Sequence, residues 1–120
     1  MADTTDPTYR NAIIDDPDTT ARLAQAGIYF GHGMLDKAEP LFRSIPKTFP
    51  KYHVAASGLF NVLWAKGKSQ AKLEAMQLLD QFLEEADRTD PDVKLVVANF
   101  IKIKINLIQE GHWNIAENEQ

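Results

Sequence analysis

The residues with chemistry to offer are few, and their spacing does not assemble a reaction centre. His32, His53 and His112 are scattered, and two of them fall in expected inter-helix turns. No pair stands four positions apart, the spacing that would set two imidazoles on one helical face for a metal. Glu84, Glu85 and Asp87 cluster at an expected helix end and could form half of an acid–base pair. With no pocket implied around them, a solvated charged helix end is the plainer reading. Gly27, Gly31 and Gly33 lack the following Lys-Ser/Thr that a phosphate-cradling loop needs, so they read as helix-packing and helix-ending residues. The chain has no cysteine, which removes disulfides, thiolate zinc sites and cysteine nucleophiles together. The expectation is a chain with no catalytic residue, no metal and no cofactor, that is, not an enzyme. Two lysine groups remain, Lys66-Lys68-Lys72 and Lys102-Lys104, and each could mark the edge of an interaction surface.

The elements that would position these residues belong to a single domain or a short repeat array, given 120 residues. Hydrophobic residues at 44% and charged residues at 25% are ordinary for a soluble globular protein. A net charge of −4 repels phosphate backbones and anionic lipid, so neither nucleic acid nor membrane insertion is expected. The opening Met1-Ala2-Asp3-Thr4-Thr5-Asp6 has no basic stretch followed by an apolar one, and the apolar runs are too short to span a bilayer. No signal peptide and a cytoplasmic location are therefore expected.

Residues 1–16 read as an acidic lead-in with a short apolar patch at Tyr9, Ala12, Ile13 and Ile14. It is either a floppy terminus or a short helix that docks on the domain or on a partner. From residue 17 to 120 the punctuation is that of a helical domain. Asp16-Pro17 is a cap followed by a first-turn proline, and Leu23, Ala26, Tyr29 and Phe30 follow at helical spacing until Gly31-His32-Gly33. A second helix is expected from about Asp36 to Pro46, with Pro40 in or near its first turn. Val54 to Leu63 forms a third, ended by Gly67, and Ser69 is placed to cap a fourth carrying Leu73, Met76, Leu79, Phe82 and Leu83. Asp90-Pro91 repeats the cap-and-proline start of a long helix to Gly111, and Trp113 to about Asn118 adds a turn or two. In the long helix Val93, Val97, Phe100, Lys104 and Leu107 line one side, and Ile101, Ile105 and Ile108 another. A helix apolar on two sides is expected to be covered on both.

Self-comparison finds a repeat. Gly33-Met34-Leu35-Asp36-Lys37-Ala38 and Gly111-His112-Trp113-Asn114-Ile115-Ala116 share Gly, any, large apolar, any, any, Ala, and Gly67 follows Gly33 by 34 positions. Glycine ends the first helix of a pair, the large apolar residue plugs the hairpin, and alanine allows close packing of the second helix. With Ala26, Tyr29, Phe42 and Pro50, this pattern resembles the tetratricopeptide-repeat family, whose period is 34. The resemblance runs from about Thr19 to Ala116. It departs from the family at Gly67-Lys68-Ser69, which lacks the apolar plug, and in the 44-residue spacing from Gly67 to Gly111. It implies an all-α fold: a right-handed stack of antiparallel helix pairs, about two and a half repeats long.

In that family the first helices of successive pairs line a concave groove. Carried over in register, the groove would take Leu23, Gly27 and Phe30 from the first pair, Ser57, Asn61 and Trp64 from the second, and Ile101, Ile105 and Ile108 from the third. Such a strip suits the hydrophobic or amphipathic helix of a protein client. By size, acidity, lack of cysteine, the run Ala38-Glu39-Pro40-Leu41-Phe42 and the ending Gly111-His112-Trp113, the chain also resembles small chaperones of bacterial type III secretion. That resemblance implies a cytoplasmic chaperone or adaptor. The other occupants that fit are a second copy of the chain, making a self-associating scaffold module, or the chain's own Tyr9–Ile14 patch.

Overall fold

The fold comes from a computed structural model, which describes residues 16–112. The acidic lead-in up to residue 15, its Tyr9–Ile14 patch and the segment from Trp113 onward lie outside the described residues. Within them the chain is all-helical, with five α-helices and no strand. None of these helices is long and apolar enough to cross a membrane.

The first helix, α1 (Pro17–Gly31), starts where the Asp16 carboxylate accepts hydrogen bonds from the backbone N–H groups of Asp18 and Thr19, at 3.4 and 3.2 Å. Pro17 occupies a first-turn position whose N–H would have no partner in the helix. At the far end Gly33 takes φ +74°, a left-handed conformation that reverses the chain. The second helix, α2 (Leu35–Arg43), is capped by the backbone of Met34, whose carbonyl accepts from Ala38 N–H at 3.0 Å. That register corrects the expectation for Pro40. It lies in the interior of a nine-residue helix, where it removes one backbone hydrogen bond. The helix also stops at Arg43, short of Pro46. Arg22, near the start of α1, donates through Nη1 to the carbonyl of Ser44, just past the end of α2, at 3.2 Å. With the tight turn at Gly33 closing the other end, α1 and α2 form an antiparallel hairpin. Leu23 and Ala26 of α1 and Ala38 and Phe42 of α2 are buried, the two alanines completely.

Helix α3 (Tyr52–Lys66) ends at Gly67, which takes φ +75°. Its residues Ala55, Ala56, Phe60, Val62 and Leu63 are all buried. They span a little under half of the helix circumference, about 160°, and half-buried Ser57, Gly58 and Trp64 widen the covered part on both sides. The exposed remainder is a narrow line through Val54, Asn61 and Ala65. The chain divides into two compact units within α3, one ending at Gly58 and the other starting at Leu59.

In the second unit, α4 (Ser69–Glu85) begins after Lys68, which holds the cap position in an extended conformation with no side-chain hydrogen bond. Ser69 is therefore the first helical residue, and the expectation that it caps the helix is corrected. Helix α5 (Pro91–Gln109) starts as the sequence implied, with the Asp90 carboxylate accepting from Asp92 N–H at 2.9 Å. Phe82 of α4 meets Phe100 of α5 edge to face, with ring centroids 5.2 Å apart. Further back along α4, Asp80 meets Lys104, which lies further forward along α5. The two helices therefore run antiparallel. Phe60 of α3 also reaches Phe100, at 5.6 Å, so Phe100 is wedged between rings from two helices and is fully buried.

Candidate protein-binding face

Helix α5 carries two apolar sides with different fates. Val97, Phe100 and Leu107 are buried, while Ile101, Ile105 and Ile108 are 41%, 50% and 50% exposed. The second set recurs at i, i+4 and i+7, which places all three on one stripe of the helix, about 10 Å long. Large β-branched side chains half in water are the least favourable use of such residues unless something covers them. Lys104 lies on the core side, between Val97 and Phe100 around the helix. Its Nζ donates to Asp80 Oδ1 at 2.6 Å, pinning α5 to α4.

Trp64 is set differently from the isoleucines. Its ring stacks on Phe60 with centroids 5.9 Å apart and planes 7° from parallel. The Lys72 ammonium lies 5.0 Å from its centroid. His112 meets it edge-on at 5.3 Å, and His112 Nε2 also stands 3.3 Å from Glu110 Oε2. Half-buried and engaged from three directions, Trp64 is a packing residue. Asn61 is exposed on the outer line of α3 and Ser57 is half-buried. From the first helix, Leu23 is 9% exposed and belongs to the core, Gly27 is exposed and Phe30 is half-buried. Leu23, Gly27, Phe30 and Ser57 lie in the first compact unit and the other five residues of the set in the second. Only Ile101, Ile105 and Ile108 form an exposed apolar stripe on a single element.

Compared with protein-family models, with curated proteins and with solved structures, the chain matches none of them. What this face does must be argued from its own residues.

The groups with chemistry to offer are dispersed. His32 is exposed, His53 is buried in α3 and His112 borders Trp64. Among the described residues no group of three or more His, Asp or Glu side chains is placed to hold a metal. Asp87 accepts hydrogen bonds from the Thr89 hydroxyl at 2.6 Å and the Thr89 N–H at 3.0 Å. Those bonds favour its ionised form and hold the Asp87 carboxyl below the ordinary carboxylate value, the hydroxyl contributing most. It serves as a turn-maker between α4 and α5. Asp16 is likewise lowered, mainly by the Thr19 hydroxyl at 2.9 Å.

Four exposed apolar residues were not read from the sequence as surface features: Leu95 at 72%, Ile28 at 54%, Val54 at 44% and Met34 at 43%. Leu95 was legible in principle. It shares its side of α5 with Asn99, Lys102 and Asn106, outside both apolar sides.

Proposed function

We propose that this chain is a protein–protein interaction module, a chaperone or adaptor that holds an apolar helix of a client and carries out no reaction of its own. The observation that carries the reading is the exposed stripe Ile101-Ile105-Ile108 on a helix whose other apolar side is already in the core. A partner helix laid along such a stripe would cover it with residues at i, i+3 or i+4 and i+7. The reading takes the helix pairs to stack as tetratricopeptide repeats do, and two features support that. Gly33 and Gly67, 34 positions apart, both take the left-handed conformation that ends a helix. The small residues Ala26, Ala38 and Ala75 are fully buried, as close helix packing requires. Likeness to type III secretion chaperones, and a cytoplasmic place of work, belong to this proposal and rest on size, acidity and motif alone.

The test is cross-linking of the tagged chain in its native host, read by mass spectrometry, with Ile105→Glu and Ile28→Glu compared with wild type. Both substitutions fall on exposed helix positions, so helicity by circular dichroism should be unchanged. A client should be captured by wild type and by Ile28→Glu and lost by Ile105→Glu. Capture by all three at equal yield would refute the assignment of the α5 stripe.

A further inference from the structure

Resting on that reading, we infer that the α5 stripe selects a partner helix whose apolar face is flanked by carboxylates. The protein is acidic, with a net charge of −4, yet this face is not. With successive residues turned by about 100°, Lys94 lies about 20° from Ile105 around the helix, and Lys102 about 60° from it on the side away from the core. The two carboxylates of this segment, Asp92 and Glu110, each lie about 140° from Ile105 and point away from the stripe. Lys94 and Lys102 are exposed, and among the described residues neither is held in an ion pair or hydrogen bond. Lys104, by contrast, is held by Asp80 on the core side. The stripe is thus an oily line with free cations at its start and along one edge, and the remaining polar neighbour on that side is the neutral Gln109.

The same charges argue against a second copy as the occupant. Pairing two α5 stripes antiparallel about a two-fold axis would set Lys102 of both copies on the same flank, about 8 Å apart along the helices and so at about one screening length. No carboxylate on the stripe would relieve that repulsion. A client helix with Glu or Asp beside its apolar residues meets both features at once.

The experiment uses the full chain and three synthetic helical peptides as probes. All carry the same leucine stripe at i, i+4 and i+7, flanked by Glu, Gln or Lys, and binding is followed by fluorescence anisotropy. Two exposed ion pairs should favour the Glu peptide over the Gln peptide roughly three- to fivefold, and over the Lys peptide about tenfold. The margin should shrink as salt is raised. The Lys94→Glu/Lys102→Glu variant should reverse the order, and Ile105→Glu should lose all three peptides. Equal binding of the three peptides by wild type would overturn the charge selection while leaving the apolar reading standing. Binding of none, with light scattering showing a dimer that Ile105→Glu dissociates, would overturn both in favour of a second copy. Binding of none by a strict monomer would likewise overturn both.

Discussion

Replacing Gly58 by alanine sets two effects of known sign against each other at one position. Gly58 is inside α3, and alanine in a helix interior is favoured over glycine by about 1 kcal/mol. A Cβ built at Gly58, however, would lie 2.9 Å from Phe42 Cδ1 and closer still to Cε1 and Cζ. Phe42 is 5% exposed, so its ring has no solvent to move into and must displace its core neighbours. Overpacking of that kind costs about 1–3 kcal/mol, which outweighs the helix term and leaves Gly58→Ala destabilised by about 1 kcal/mol. Gly27, in α1, meets nothing within 4 Å at the same test, so Gly27→Ala should be stabilised by about 0.5–1 kcal/mol. The assay is urea unfolding followed by circular dichroism, with the slope checked for constancy so that midpoints can be compared. Truncating the ring supplies the decisive control. In a Phe42→Leu background Gly58→Ala should turn neutral or stabilising, a coupling of about 1–2 kcal/mol between two residues in contact. Stabilisation of Gly58→Ala to the same extent as Gly27→Ala, or strict additivity with Phe42→Leu, would refute the packing argument.

Gly67→Ala should cost about 1–2 kcal/mol, because φ +75° is a left-handed conformation that a Cβ opposes; Gly31→Ala, in open space and without positive φ, should not. Phe100→Ala removes the ring that touches both Phe60 and Phe82 and should cost about 3–5 kcal/mol, read as early loss of amide protection in α4 and α5. The pH dependence of Asp16 has a definite sign. Its folded value is depressed below 3.8, so its contribution is present above that value and disappears as pH falls through the depressed one. In Thr19→Val the Asp16 carboxyl should titrate back up toward the ordinary value in a carbon-detected NMR titration, and the acid limb of the stability curve should flatten; an unmoved Asp16 would refute the assigned cause.

Element type was legible wherever the sequence carried a mechanism. Asp16-Pro17 and Asp90-Pro91 each name a capping acceptor and a donor that can be spared, and both helices start there. Gly33, Gly67 and Gly111 each follow the end of a helix and take positive φ. The misplacements came where two mechanisms competed. Ser69 has the right chemistry for a cap, but Lys68 already supplies the extended residue, so the hydroxyl is left inside the helix. Asp36 drew the start of α2 one residue late, since backbone capping by Met34 leaves no side-chain signature. That same offset brought Pro40 too near the helix start.

The candidate site was legible as a pattern but not as a surface, and the reason is physical. Periodicity reports that α5 is apolar on two sides; it carries no information on whether a second element arrives to cover the second side. Ile101, Ile105 and Ile108 are as hydrophobic as Val97, Phe100 and Leu107, and only coordinates separate the half-exposed set from the buried one. That separation also explains how an oily surface is tolerated. The two sets are centred about 100° apart around the helix, and Lys104, on the buried side, is clamped to Asp80. The side that holds α5 in place therefore shares no residue with the side left for a partner. Substitutions along the stripe can tune recognition without loosening the helix that presents it, whereas a face doing both jobs would trade one against the other.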